Sequence, residues 1–117
     1  MKNIRLILTC LFCFALFACE SKHDDLSADK VYFFYQDACS HCHKASDYIN
    51  KKYPDLKMAK LDIANHESRE LFIKCARKFN LGNTLGTPLF CFGDNYVMGW
   101  SKRSEKKFDR LIKPFLK

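Results

Sequence analysis

The run Val31 to His43, VYFFYQDACSHCH, constrains this chain more than any other stretch, because an apolar segment there delivers Cys39-Ser40-His41-Cys42 to the start of a helical pattern. Residues three apart on the first turn of a helix are neighbours. That brings two cysteines close enough for a disulfide to open and close without refolding the chain. Unpaired N–H groups and the helix macrodipole favour a negative sulfur at the first position. Cys39 is thus the expected thiolate and Cys42, one turn inside, the resolving thiol. His41, when protonated, adds positive charge beside Cys39, favours its thiolate and makes the disulfide more oxidising. Its bland alternative is an exposed first-turn residue.

The elements that carry this site follow from pattern and punctuation. Val31 to Gln36 reads as a buried strand, and a helix continues from the cysteines to about Lys52, with Ala45, Tyr48 and Ile49 on the face of Cys42. Tyr53-Pro54-Asp55 ends it. Lys57 to Ile63 alternates as a second strand. Asn65 caps a helix bearing Leu71, Phe72, Cys75, Ala76 and Phe79, which Gly82 stops. Gly86-Thr87-Pro88 opens a buried strand, Leu89 to Phe92; Gly93-Asp94-Asn95 turns the chain, and Tyr96 to Met98 returns. A last helix begins at Ser101 or Ser104, places Phe108, Leu111, Ile112 and Phe115 on one side, and bends or ends at Pro114. The expected fold is α/β in the order β-α-β-α-β-β-α, a four-stranded mixed sheet with helices on both faces and the first two strands parallel.

Residues 1–19, MKNIRLILTCLFCFALFAC, open with Lys2 and Arg5 and continue with an apolar block too short for a comfortable membrane span, which needs about 20 residues. They fit the hydrophobic region of an export signal. Cys10 and Cys13 lie inside that block and read as small hydrophobic residues. Leu16-Phe17-Ala18-Cys19 resembles the lipobox of bacterial lipoproteins, with Phe17 larger than the residue usual there. The resemblance implies acylation of Cys19 as the first mature residue. Residues 20–30, ESKHDDLSADK, are polar and read as a tether reaching some 30 Å at about 3.3 Å per residue. Residues 31–117 then form one small domain, with no dimerisation segment, expected to act as a monomer.

Three features of that domain carry a resemblance to a known fold: Cys39-Ser40-His41-Cys42 after the first strand, Thr87-Pro88 opening the third, and Gly99-Trp100 before the final helix. The chain resembles a thioredoxin-fold protein and, in its minimal form, a glutaredoxin. FFYQDACSHCH is similar to the active-site opening of periplasmic Dsb-type oxidoreductases, which favour a histidine at the place of His41 but insert a helical domain for which this chain has no room. The resemblance implies a cis Pro88 against the cysteines and a Thr87 backbone that offers strand-like hydrogen bonds to an extended substrate. Departures accompany it. Ala38 stands where thioredoxins place a tryptophan, and the aromatic run lacks their buried acid. Asp37 and Met98-Gly99-Trp100 differ from the glutathione-binding residues of glutaredoxins, so glutathione is not assigned.

The chain is therefore expected to be a lipid-anchored thiol-disulfide oxidoreductase facing the periplasm or cell exterior. Its partners would be exported protein thiols or disulfides and a membrane redox protein, and no cofactor is required. His41 and the missing buried acid lean toward donating disulfides, although a reductase fed by a membrane electron donor carries the same residues. Cys75 and Cys91 sit on expected buried faces and either bridge or remain free thiols.

Rival readings use the same residues. Cys39 to His43 is also a CxxCH pattern for c-type haem, with Met58 or Met98 as distal ligand. Cys39, Cys42 and His41 or His43 are thiolate and imidazole donors suited to copper or zinc. A redox-inactive binding module is the non-enzyme alternative. Net charge is +7, and Lys102, Arg103, Lys106, Lys107, Arg110, Lys113 and Lys117 gather at the last helix. A solvated face is the default for them, and attraction to anionic lipid comes second. No nucleic-acid motif accompanies them.

Overall fold

The computed structural model describes residues 26–116. The expected signal segment, the acylation at Cys19 and the start of the tether lie outside the described residues. Element order is β1 (Val31–Tyr35), α1 (Ser40–Lys52), β2 (Ala59–Asp62), α2 (His66–Lys78), β3 (Leu89–Phe92), β4 (Asn95–Met98) and α3 (Lys102–Leu111), with short 3-10 turns at Gly82–Thr84 and Lys113–Phe115. The strands form one sheet in the order β2-β1-β3-β4. β1 and β2 are parallel, and β1 with β3 and β3 with β4 antiparallel. No helix among the described residues is long and apolar enough to cross a membrane.

Alternation along β1 divides its side chains between two cores. Val31 and Phe33 pack with Cys42, Ala45 and Ile49 of α1 and Phe108 and Ile112 of α3. Tyr32 and Phe34 pack with Phe72, Cys75 and Ala76 of α2. The first core is an aromatic stack, Phe33 to Phe90 at 4.6 Å and Phe90 to Phe108 at 5.0 Å between ring centroids. Truncating any one of these rings to alanine is expected to cost about 3–5 kcal/mol. The two cores together hold β1 from both faces and so fix where it delivers the cysteines.

Helix ends follow local chemistry. Asn65 accepts from the Ser68 N–H at 3.1 Å, and Ser101 accepts from the Ser104 N–H at 3.2 Å; Ser101, not Ser104, is the α3 cap. The stop of α2 falls two residues before Gly82. Asn80 takes the left-handed conformation, φ 55°, its N–H reaches Arg77 O, and the Leu81 N–H reaches Ala76 O at 2.9 Å. Asparagine can fill that position because its short side chain tolerates positive φ. In the β3–β4 turn Gly93 has φ 49°, and a Cβ there would meet Ala28 O at 2.9 Å.

That contact belongs to a second difference from the sequence expectation. Leu26 to Lys30, read as the end of the tether, lie on the domain: Leu26 packs against the α2-side core, and the Ser27 N–H donates to the Tyr32 hydroxyl at 2.8 Å. A single apolar residue in a polar run gives no periodicity, so this docking was not legible.

Candidate active site

β1 ends at Tyr35, and Gln36 to Ala38 carry the chain across to α1. Cys39 caps that helix. Its Sγ accepts from the Cys42 N–H at 3.1 Å, and its carbonyl accepts from the N–H groups of Cys42 and His43 at 3.1 and 3.2 Å. No acidic residue occupies the first turn of α1. The N-terminal partial positive charge therefore acts on the Cys39 sulfur with no carboxylate in that turn to offset it. Cys39 and Cys42 are joined by a disulfide with a Cα separation of 5.2 Å. Cys39 is partly exposed, whereas Cys42 is 3% exposed. An incoming sulfur thus reaches Cys39 first.

The other two features that carried the resemblance are joined to each other, and Thr87 is tied to the loop before the pair. Thr87-Pro88 is a cis peptide. The Gly99 N–H donates to Pro88 O at 2.8 Å, with Gly99 at φ 81°, a conformation that costs glycine nothing. Trp100 is packed under the site edge against Tyr48 and Phe90 at 5.5 and 5.7 Å. His41 is exposed and lines a groove of about 400 Å³ with Lys44, Asp47, Trp100 and the start of α3.

No sequence signal marked the roles that Gln36, His43 and Lys60 take at the site. The Gln36 side-chain amide donates to the Thr87 hydroxyl at 3.0 Å. His43 is held by its Nε2 at 2.8 Å from Asp37 O. A cavity of about 140 Å³ lies against buried Cys42 and is lined also by Phe33, His43, Ser46 and Lys60. Lys60 is legible only through register, since β2 pairs it with Phe33.

The rival ligand sets are distributed differently. Met58 packs against the α1 and α3 side of the sheet and Met98 against the α2 side. Among the described residues, no group of three or more His, Cys, Asp or Glu side chains is gathered that could hold a metal ion.

A polar cluster fixes the far end of α1. Asp109 of α3 accepts from the hydroxyls of Tyr48 and Tyr53 at 2.7 and 2.6 Å and from Lys52 Nζ at 3.0 Å. Burial raises the Asp109 carboxyl, but these three donors outweigh it and hold it below the usual carboxylate range. Burial first and Asp109 second push Tyr53 up to about 12 and also raise Tyr48. On the opposite face Cys75 of α2 and Cys91 of β3 are joined in a second disulfide, Cα to Cα 6.6 Å, with both residues buried. The facing of Cys91, open from sequence, is toward α2.

No family model matches the chain, and no curated protein matches it. Among solved structures it is similar to a buckwheat glutaredoxin in complex with glutathione, at 13% identity over 74% of this chain and 74% of that one, with a TM-score of 0.50. It is also similar to an ArsC family related protein from Bacteroides fragilis, at 14% identity over 70% of this chain and 98% of that one, with a TM-score of 0.44. At such identities the glutaredoxin likeness shows the fold, which is thioredoxin-like.

Proposed function

We propose that this thioredoxin-like domain is a thiol-disulfide oxidoreductase. It acts on exported proteins and is held at a membrane by a lipid on Cys19, facing the periplasm or cell exterior. The observation that carries the chemistry is the asymmetry of the pair: Cys39 is accessible at an uncompensated helix N-terminus, and Cys42 is buried one turn behind it. Thr87 and Pro88, tied to the same loop, form the edge along which an extended substrate would lie.

In the reducing direction, the Cys39 thiolate attacks a substrate disulfide, forms a mixed disulfide and releases one substrate thiolate. Cys42, deprotonated, then attacks the Cys39 sulfur and releases the second. Two electrons pass to the substrate, and Cys39–Cys42 becomes the disulfide. In the donating direction a substrate thiolate opens Cys39–Cys42, and a second substrate thiol resolves the mixed disulfide. The aromatic lining in place of a buried acid supports donation, while His41 is an exposed first-turn residue.

The test is turnover of a dithiol peptide and of its disulfide form. The wild type should exchange with at least one and Cys39→Ser with neither; a wild type as inert as that variant would leave a redox-inactive binding module.

A further inference from the structure

The charges of α3 are divided between its faces in a way that the proposed thiol chemistry does not use. Arg103, Lys106 and Arg110 follow one another at spacings of three and four, which aligns them along a single outward stripe; Lys113 stands in the 3-10 turn that follows, and all four are exposed. The two acids of the helix are engaged elsewhere. Glu105 is 3.7 Å from Lys102, and Asp109 is turned inward onto Tyr48, Lys52 and Tyr53. Among the described residues no carboxylate pairs with the stripe. At its end the 3-10 turn leaves Leu116 39% exposed, one of two exposed large apolar side chains among the described residues.

The place where the chain enters the domain selects what this surface meets. Ala28 lines the same depression as Arg110, Pro114 and Phe115, whereas Leu26, the first of the described residues, packs on the α2 side of the sheet; the described residues thus start at the end of the domain where the stripe ends. Leu26 lies seven positions after Cys19, a reach of at most about 25 Å. An anchor at Cys19 therefore keeps this end of the domain near the bilayer. Cations beside an exposed aliphatic tip match a bilayer surface, where each lysine or arginine contributes through the negative surface potential. Asp94 lines the same depression as Arg110, and Asp29 is exposed beside Ala28; among the described residues neither forms an ion pair with the stripe.

We propose that the outward face of α3, with Leu116 at its end, is a docking surface for an anionic lipid bilayer. The proposal shares the membrane with the anchor reading but not the thiol chemistry. α1 and α3 run side by side, with His41 and Lys102 lining one groove and Asp109 meeting Tyr53 further along. The docked stripe thus lies on the outer side of α3 and leaves the Thr87–Pro88 edge open.

The experiment uses the full chain in vesicles of phosphatidylcholine alone or mixed with phosphatidylglycerol, both carrying brominated acyl chains. Leu116→Trp supplies a fluorophore at the tip, and buried Trp100, the one tryptophan of the sequence, is the internal control. Flotation with both vesicle types reports the anchor separately. The expected result is quenching at position 116, not at Trp100, in anionic vesicles only, reversed by high salt. Lys106→Gln, Arg110→Gln and Lys113→Gln should each lower the docked-to-undocked ratio about fivefold, with circular dichroism and turnover of a small dithiol peptide unchanged. Equal quenching in neutral and anionic vesicles overturns the proposal. So does absence of quenching with these variants slowing exchange only with an acidic protein substrate, or with concentration-dependent self-association in sedimentation.

Discussion

Gln36 donates its side-chain amide to the Thr87 hydroxyl at 3.0 Å across 51 residues of sequence, joining the loop that precedes Cys39 to the residue that precedes Pro88. The contact is exposed, so its net contribution to stability is about 1 kcal/mol or less. Its larger consequence is positional: it sets the spacing between the attacking sulfur and the backbone edge proposed to receive substrate.

Gln36→Ala should therefore slow exchange with a protein substrate several-fold while moving the thermal midpoint by only a few degrees. Steady-state kinetics beside a melting curve will separate the two effects. A rate loss explained wholly by unfolding would remove the positioning role.

Trapping should be unequal at the two cysteines. Cys42→Ser leaves the mixed disulfide at Cys39 without a resolving thiol, so covalent complexes with partner proteins should accumulate on non-reducing gels. Cys39→Ser should capture almost nothing, because Cys42 is buried. Comparable capture by both variants would contradict the assignment of roles. The redox state of the wild-type pair in cells should be mostly oxidised for a disulfide donor and mostly reduced for a reductase.

The Cys75–Cys91 bridge closes a separation of 16 residues, for which loop-closure entropy gives about 3 kcal/mol. Cys75→Ala together with Cys91→Ala should lower unfolding free energy by about 2–4 kcal/mol in denaturant titrations. After unfolding without reductant, alkylation should find neither thiol; two modified cysteines there would show that the bridge is absent.

Asp109 and the two tyrosines give the domain a defined pH response. A carboxyl held below its unfolded value contributes stability that is present above about pH 4 and is lost as pH falls through its folded value. Tyr53, raised to about 12, and Tyr48, also raised, contribute stability that is fully present below about pH 10 and is lost as pH rises through their folded values. Asp109→Ala should cost about 1–3 kcal/mol near neutrality, flatten the acid limb of a plot of thermal midpoint against pH and lessen the alkaline limb in part, since burial is the first cause there. Unchanged limbs in the variant would mean that other groups set the response.

Lipid at Cys19 is expected from the run Leu16-Phe17-Ala18-Cys19. Intact-mass measurement of the native protein should find diacylglycerol on that residue and no residues 1–18. A mature protein without lipid, or Cys19→Ala processed and located as before, would reject the anchor.

How much of this was legible follows from the range of the interactions involved. The apolar run at Val31–Tyr35, the apolar spacing of α1, α2 and α3, and the Asn65 cap act within a few residues of themselves, so composition and order determined the elements and their sequence. The two cysteines were legible for the same reason, since three residues of spacing at a helix start fix their relation. Only the folded sheet decided what meets across long separations: Gln36 with Thr87, Gly99 with Pro88, Asp109 with Tyr48 and Tyr53, and Cys91 facing Cys75. A one-residue change of register reverses every side chain of a strand. The sequence left the facing of Cys91 open, and the pairing of β3 with β1 placed it on the α2 side.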